Sequence, residues 1–236
     1  MKLSIIIPVY NEEKTVIELL EKVAKVNFSP IEREIIVVED GSTDGTKAKL
    51  QKANIKGIKF VYHEKNSGKG AAVRTGIKHA TGEYIVIQDA DLEYDPRQLV
   101  PLVKPLYEGK AEVVFGTRLD RLPDFKGEQK TMQSFIHYVG NKFLSLVTSA
   151  IYLQWVTDME TCYKIFPKKA VSQFTLRAKG FEFEPEITAK LLKSGYKIYE
   201  LPISVTPRSY KEGKKIHTVR DGIRACWYLC KYRFVD

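Results

Sequence analysis

With 236 residues, 44% hydrophobic and 28% charged, the chain can bury a core without a disulfide or metal staple, and it is not disordered, collagen-like or low-complexity. An excess of 38 Lys and Arg over 29 Asp and Glu gives +9, which points to a polyanionic partner: nucleic acid, an anionic membrane surface or a phosphorylated substrate. The three cysteines cannot all pair and match no zinc or haem spacing, so they read as free thiols of a reducing cytosol. The first apolar run ends at Pro8, too early for a signal-peptide core, and no window of 18 uninterrupted apolar residues marks a bilayer span.

In chain order, β-rich runs at residues 3–9, 34–39, 58–63, 84–88 and 112–115 alternate with helical-period stretches near 12–25, 44–53, 70–80 and 96–107. Continuous apolar strands between helices predict a mostly parallel sheet covered on both faces. Asn11 precedes an acidic stretch and Asp95 precedes Pro96, and both are expected to cap helices. Beyond residue 116 the pattern loosens. Residues 119–130 are polar with Pro123 and Gly127 and read as a loop, and 134–156 are largely apolar, of the length of a buried or interfacial helix. A strand at 162–166, a helix at 184–194, a strand at 197–205, a basic loop TPRSYKEGKKIHT and a helix from about 219 to 234 complete the prediction. With neither repeat nor linker composition, the chain is expected to form one domain, 1–236.

Acids follow the strands, and in open α/β sheets ligands bind beyond the carboxyl ends of the strands. Glu12 comes just after the first strand, Glu39 and Asp40 end the second, and Asp89 and Asp91 end the fourth within VIQDADLEYDP. Residues i and i+2 of an extended segment point the same way, so Asp89 and Asp91 either converge on a point or form a solvated acidic loop. Convergent carboxylates beside a diphosphate suit Mg²⁺ or Mn²⁺, and Glu93 continues the i+2 register. Competing phosphate motifs fail on spacing: GKGAAVRTG has Val73 where a third glycine belongs, and GSTDGTK is one residue short of a Walker A loop.

SIIIPVYNEE, IIVVEDGSTDGT, EKNSGKGAAVRTGIKHATGEYIVIQDADLEYDP and VVFGTR occur in that order. Together they resemble the family 2 glycosyltransferases of the GT-A fold, and within it the polyprenyl-phosphate glycosyltransferases of the dolichyl-phosphate mannose synthase type. HYVGNK, TDMETCYKIF, FEFEPEITAKLLKSGYKIYELPISVTPRSYKEGKKI and DGIRA look like the bacterial and archaeal branch of that group. The resemblance implies an α/β GT-A fold: a single Rossmann-like sheet flanked by helices, ending in an amphipathic helix. A nucleotide-binding half (1–116) would be followed by an acceptor-binding half (117–236). Pro8, Tyr10 and Glu12 would line the nucleoside pocket, Asp40 would hydrogen-bond the base with Val38 beside it, and Asp89 and Ala90 would contact ribose and diphosphate. Asp91 would hold the cation with Glu93 as second ligand. Arg118 would contact the acceptor phosphate, and Arg208 and Lys214 would close over the donor diphosphate.

The implied reaction is inverting, metal-dependent transfer of a hexose from a GDP-mannose- or UDP-glucose-type donor to dolichyl or undecaprenyl phosphate. A lipid phosphate with a second pKa near 6 is mostly dianionic at pH 7 and needs no strong base. The alternative acceptor, a saccharide hydroxyl, does need one, and Asp158 in TDMETC is the candidate. His63, His79, His137 and His217 are scattered and read as structural or surface groups, with His137 a candidate acceptor-side contact. Ile223, Cys226, Trp227, Cys230 and Phe234 share an apolar helix face edged by Arg220, Arg224 and Lys231. That face fits either packing on the domain or peripheral contact with the cytoplasmic side of a membrane, directly or beside a separate membrane anchor. No recognised nucleic-acid motif is present, and a nucleic-acid partner is not expected.

Overall fold

The structure, a computed structural model, describes residues 1–119, 132–206, 208 and 218–235, with the backbone alone at 133 and 218–221. Seven strands form one sheet: β1 (Lys2–Val9), β2 (Glu32–Glu39), β3 (Ile58–Tyr62), β4 (Tyr84–Ile87), β5 (Val113–Thr117), β6 (Lys164–Pro167) and β7 (Ile198–Pro202). Their order is β3-β2-β1-β4-β6-β5-β7. All neighbours run parallel except β6, which is antiparallel to both β4 and β5. Ile5, Ile6 and Ile7 on β1 and Val37 and Val38 on β2 are all fully buried, as expected where helices cover both faces of a sheet.

The helices are α1 (Val16–Lys25), α2 (Thr46–Lys52), α3 (Lys69–His79), α4 (Leu99–Tyr107), α5 (Met132–Tyr152), α6 (Lys168–Val171), α7 (Phe183–Lys193) and α8 (Thr218–Phe234), with a 3₁₀ turn at Pro96–Gln98. Helix α1 buries Val16, Leu19, Leu20 and Val23 along one stripe. In α3, Gly76 lies directly on Ile6 of β1, where any Cβ would overlap the isoleucine side chain. That contact lets α3 lie close to the sheet. Helices α5 and α8 meet over a second, smaller cluster that includes Leu144, Met159, Ala225 and Leu229.

Two boundaries differ from the sequence reading for physical reasons. Asn11 does not cap α1: its φ is 50°, its side chain accepts from Thr43 N–H at 2.8 Å, and the helix starts five residues later. The segment it occupies leads from β1 to α1 and is tied to the loop after β2 through Ser42 and Thr43. Helix α5 stops at Tyr152, because Leu153 takes the left-handed conformation with φ 56°. Asp95 does cap, accepting from Arg97 N–H at 2.9 Å with Pro96 as the first residue of the turn. Of the two predicted loops, 120–130 of the first and Pro207 and 209–217 of the second lie outside the described residues.

Candidate active site

Strand β1 has β2 on one side and β4 on the other, so chain connections diverge there and leave a crevice beyond the strand ends. A cleft of about 1040 Å³ opens at this point. Its wall includes Pro8, Tyr10 and Glu12 after β1, Asp40 after β2, Asp89, Ala90, Asp91 and Glu93 after β4, Arg118 after β5, His137 on α5, and Arg208. Val38 is a correction: it is fully buried in the core and does not line the cleft. Lys214, His217 and the Arg220 side chain lie outside the described residues.

Asp40 is held from the loop before α3. Its Oδ1 accepts from Ser67 N–H at 3.0 Å and lies 2.6 Å from His63 Nδ1, and its Oδ2 accepts from Gly68 N–H at 2.8 Å. A carboxylate offers about four acceptor positions, so one remains for a ligand. Gly68 has φ 94° and sits against Lys179 O, where a side chain would not fit. His63 also reaches Thr75 Oγ1 at 2.9 Å, which gives this histidine a structural role.

The far side of the cleft is closed by the segment after β7. Val205 bridges antiparallel to Tyr94, and Thr206 N–H donates to Glu93 O at 2.9 Å. This brings Arg208 N–H to 2.9 Å from Glu93 Oε1. The Arg208 guanidinium then forks onto both oxygens of Glu12, at 2.9 and 3.1 Å, and lies 3.3 Å from Asp91 Oδ2. Asp91 Oδ1 accepts from Glu93 N–H at 3.1 Å.

Among the described residues no three His, Cys, Asp or Glu side chains cluster as a metal site. Asp91 and Glu93 nevertheless fit a hard divalent cation, which takes one or two carboxylates and fills its other positions with water and phosphate oxygens. The guanidinium already drawn to Asp91 and Glu12 shows that the locus attracts positive charge.

Several residues of the site were not visible in the sequence. Lys69, the first residue of α3, reaches Asp89 at 2.8 Å and Glu184 of α7 at 3.3 Å. Burial would lower the Lys69 pKa, but the carboxylates of Asp89 and Glu184 outweigh it and hold it well above the ordinary value. Burial pushes Asp89 up while Lys69 pulls it down, and the net is a lowered pKa. Lys164, fully buried on β6, pairs with the same Glu184 at 2.5 Å. The resulting chain of charges, Asp89–Lys69–Glu184–Lys164, links the end of β4 to β6 through α3 and α7. Its members come from four elements 20 or more residues apart, which no local pattern reveals.

Arg118 and Asp158 form a bidentate pair at 2.7 and 2.8 Å, and the Arg118 N–H donates to the same carboxylate at 2.9 Å. Asp158 is held in turn by Glu200 of β7, which accepts from Thr157 N–H at 2.8 Å and Asp158 N–H at 3.1 Å. Asp158 as an acceptor-activating base is therefore corrected. It has no exposed surface, lies outside the cleft wall and is fully engaged by Arg118, so it positions that cation. Of the two acids in this segment it is Glu160, two residues on, that lines the cleft, and its Oε1 is sealed from solvent with no hydrogen-bond partner among the described residues.

From Arg118 outward the cleft becomes apolar. Phe143 and Leu144 of α5, Phe181, and Ile223, Cys226, Trp227 and Cys230 of α8 form this wall. Phe143, Ile223 and Trp227 of this wall are also exposed, as are Ile136, Val139 and Leu146 of α5 and Phe234 of α8 beyond it, with Lys231 Nζ 5.0 Å from the Trp227 ring. No helix among the described residues is long and apolar enough to cross a membrane.

Comparison with known proteins agrees with this geometry. The chain is similar to glycosyltransferase AglJ of Haloferax volcanii (27% identity, 92% of this chain and 67% of that one). It is also similar to the UDP-N-acetylglucosamine–dolichyl-phosphate N-acetylglucosaminyltransferase of Methanococcus voltae (29%, 87% and 86%). A third relative is the dolichol-phosphate mannosyltransferase of Pyrococcus furiosus (29%), of which this chain spans 64%. Among solved structures, Mycobacterium tuberculosis glucosyl-3-phosphoglycerate synthase with Mn²⁺, UDP and phosphoglyceric acid shares the fold: TM-score 0.73, 18% identity, 100% of this chain and 79% of that one. The sequence profile of glycosyl transferase family 2 matches residues 4–174, and the chain belongs to that family.

Proposed function

We propose that this glycosyltransferase moves a hexose from a UDP- or GDP-linked donor to the phosphate of a polyprenyl phosphate, inverting the anomeric centre. The observation that carries the reading is a single cleft of about 1040 Å³ lined by acids at the strand ends, by Arg118, and by apolar side chains of α5 and α8. A donor diphosphate with its cation, an acceptor phosphate and the lipid chain behind it match those three surfaces. The names of the Methanococcus voltae and Pyrococcus furiosus relatives, both dolichyl-phosphate sugar transferases, support it.

In this reading residues 1–116 serve the donor and 117–236 the acceptor, within one domain. Tyr10, Pro8 and Glu12 enclose the nucleoside, and the free acceptor position of Asp40 takes a donor N–H of the base. Asp89 and the Ala90 backbone meet the ribose and diphosphate, with Lys69 holding Asp89 ionised and in place. Mg²⁺ or Mn²⁺ held by Asp91 and Glu93 would supply Lewis-acid stabilisation of the leaving diphosphate. Arg208, drawn from Glu12 and Asp91 onto the diphosphate, offsets the same developing charge, helped by Lys214. Arg118 binds the acceptor phosphate and aims one oxygen at the anomeric carbon opposite the leaving group. Attack from that side turns an α-linked donor into a β-linked product. The acceptor oxygen is already anionic, so no base is required of Asp158, whose carboxylate is spent on Arg118.

The exposed apolar side chains of α5 and α8, edged by Arg224 and Lys231, support peripheral docking on the cytoplasmic face of a membrane that carries the acceptor. The test is partition of radiolabel. Incubation with UDP- and GDP-sugars, Mg²⁺ or Mn²⁺ and dolichyl or undecaprenyl phosphate is expected to move label into the organic phase. Transfer only to water-soluble glycan would instead support a saccharide-hydroxyl acceptor.

A further inference from the structure

The mechanism above leaves Glu160 without a task. Glu160 lines the wall together with Arg118 and the apolar surface of α5 and α8, and its Oε1 has no hydrogen-bond partner among the described residues. The groups that face it are Lys164 on β6, Glu184 on α7, Arg118 after β5 and Asp158 in its own loop. Both nearby carboxylates are matched: Glu184 by Lys69 and Lys164, Asp158 by Arg118. Glu160 is the carboxyl left over, with neither Lys164 nor Arg118 hydrogen-bonded to it.

Resting on the reading that the acceptor is a lipid monophosphate, we propose that Glu160 is an acceptor-specificity residue that enters the complex protonated and donates a hydrogen bond from its carboxyl to an acceptor phosphate oxygen. The proton stays on Glu160, and no bond of the sugar or phosphate is broken by it. An ionised Glu160 would repel a dianion arriving at Arg118, whereas the neutral acid adds a donor beside the guanidinium. Burial, countered by Lys164 and Arg118 and reinforced by Glu184 and Asp158, raises the Glu160 pKa to about 7, so the acid form is available at neutral pH.

The test is steady-state kinetics against polyprenyl phosphate from pH 6 to 9 for wild type, Glu160→Gln and Glu160→Ala, with saturating donor and divalent cation. In the wild type the acceptor KM is expected to climb about tenfold as pH rises through 7 to 8.5, while donor KM moves little. Gln keeps a donor N–H and cannot ionise. Glu160→Gln is therefore expected to hold the acceptor KM near its pH 6.5 wild-type value across the range, and Glu160→Ala to raise it about tenfold at every pH. A Glu160→Gln enzyme with the wild-type alkaline rise overturns the proposal. So does a hundredfold fall in kcat with acceptor KM unchanged, the signature of a base serving a hydroxyl. A second readout needs no turnover: infrared difference spectra at pH 6.5 should contain a protonated-carboxyl band that Glu160→Gln removes and that shifts when polyprenyl phosphate is added. Absence of that band also overturns it. Failure of the wild type to glycosylate any polyprenyl phosphate would instead overturn the acceptor reading, and the role of Glu160 with it.

Discussion

Arg208 and Glu12 lie 196 residues apart in sequence, yet the guanidinium of one forks onto both carboxylate oxygens of the other at 2.9 and 3.1 Å. The pair ties the segment after β7 to the turn after β1 and closes the cleft around Asp91, 3.3 Å from the same guanidinium. A cation entering at Asp91 competes with Arg208. Arg208→Ala is therefore expected to bind Mn²⁺ several-fold more tightly in the absence of nucleotide, measured by titration calorimetry. The same variant should lose about 10²-fold in kcat/KM for the donor, because the leaving diphosphate loses a fixed positive charge. Arg208→Lys should recover only part of that loss, since a point charge cannot fork onto two oxygens.

Asp91→Ala is expected to abolish the cation-dependent part of nucleoside diphosphate binding while the fold remains intact, since its side chain is 25% exposed. Calorimetry with and without Mn²⁺ measures the first effect and thermal melting the second. Unchanged turnover would rule out Asp91 as a metal ligand.

Asp158→Ala removes one partner of a buried bidentate pair and leaves the Arg118 guanidinium uncompensated. Burial lowers the Arg118 pKa, but Asp158 outweighs it and keeps the arginine charged, so the charge cannot simply be shed. Roughly 3–5 kcal/mol of stability should be lost, read from the denaturant midpoint. Acceptor KM should rise with it because Arg118 is no longer held. Loss of turnover with normal stability and normal KM would contradict the positioning role.

Glu160→Gln carries a stability signature with a defined sign. The carboxyl titrates near 4.5 when unfolded and at about 7 when folded. Its favourable contribution is complete below the unfolded value and disappears as pH rises through the folded one. Gln has no such loss. The stability difference, variant minus wild type, should therefore grow between pH 5 and 7 and level off above it, reaching roughly 3 kcal/mol. A difference independent of pH would mean that the folded carboxyl titrates normally.

Membrane contact is tested on the exposed face. A Phe143→Glu, Trp227→Glu double variant should bind anionic vesicles at least tenfold more weakly in co-sedimentation, and wild-type binding should weaken with salt. Both side chains are more than half exposed, so melting temperature should change little.

The strand-end acids of the site were legible in the sequence because their placement depends on local order. Short apolar strands end in acids, so Glu12, Asp40, Asp89 and Asp91 could be placed at one end of a parallel sheet without coordinates. Asp95 with Pro96 was readable for the same reason. What could not be read depends on pairing across the sheet. Val38 and its neighbour Val37 are both fully buried because helices cover both faces of the sheet, so alternation cannot assign either to core or cleft. Asp158 appeared free because its partner Arg118 is 40 residues away and joins it only after β5 and β6 pair. Lys69, Lys164 and Glu184 carry no local signal, because only the packing of α3, β6 and α7 brings them together. Glu160 is not singled out by the sequence, because a D-x-E pair does not say which carboxyl faces the cleft.

The most direct measurement is a crystal structure of the protein with UDP or GDP, Mn²⁺ and a short-chain polyprenyl phosphate. The anomalous manganese peak should lie within coordination distance of Asp91, the diphosphate beside Arg208, and the lipid phosphorus against Arg118 with its chain between α5 and α8. A nucleotide bound away from Asp40 and Asp91, or a lipid phosphate that does not touch Arg118, would contradict the single-cleft mechanism.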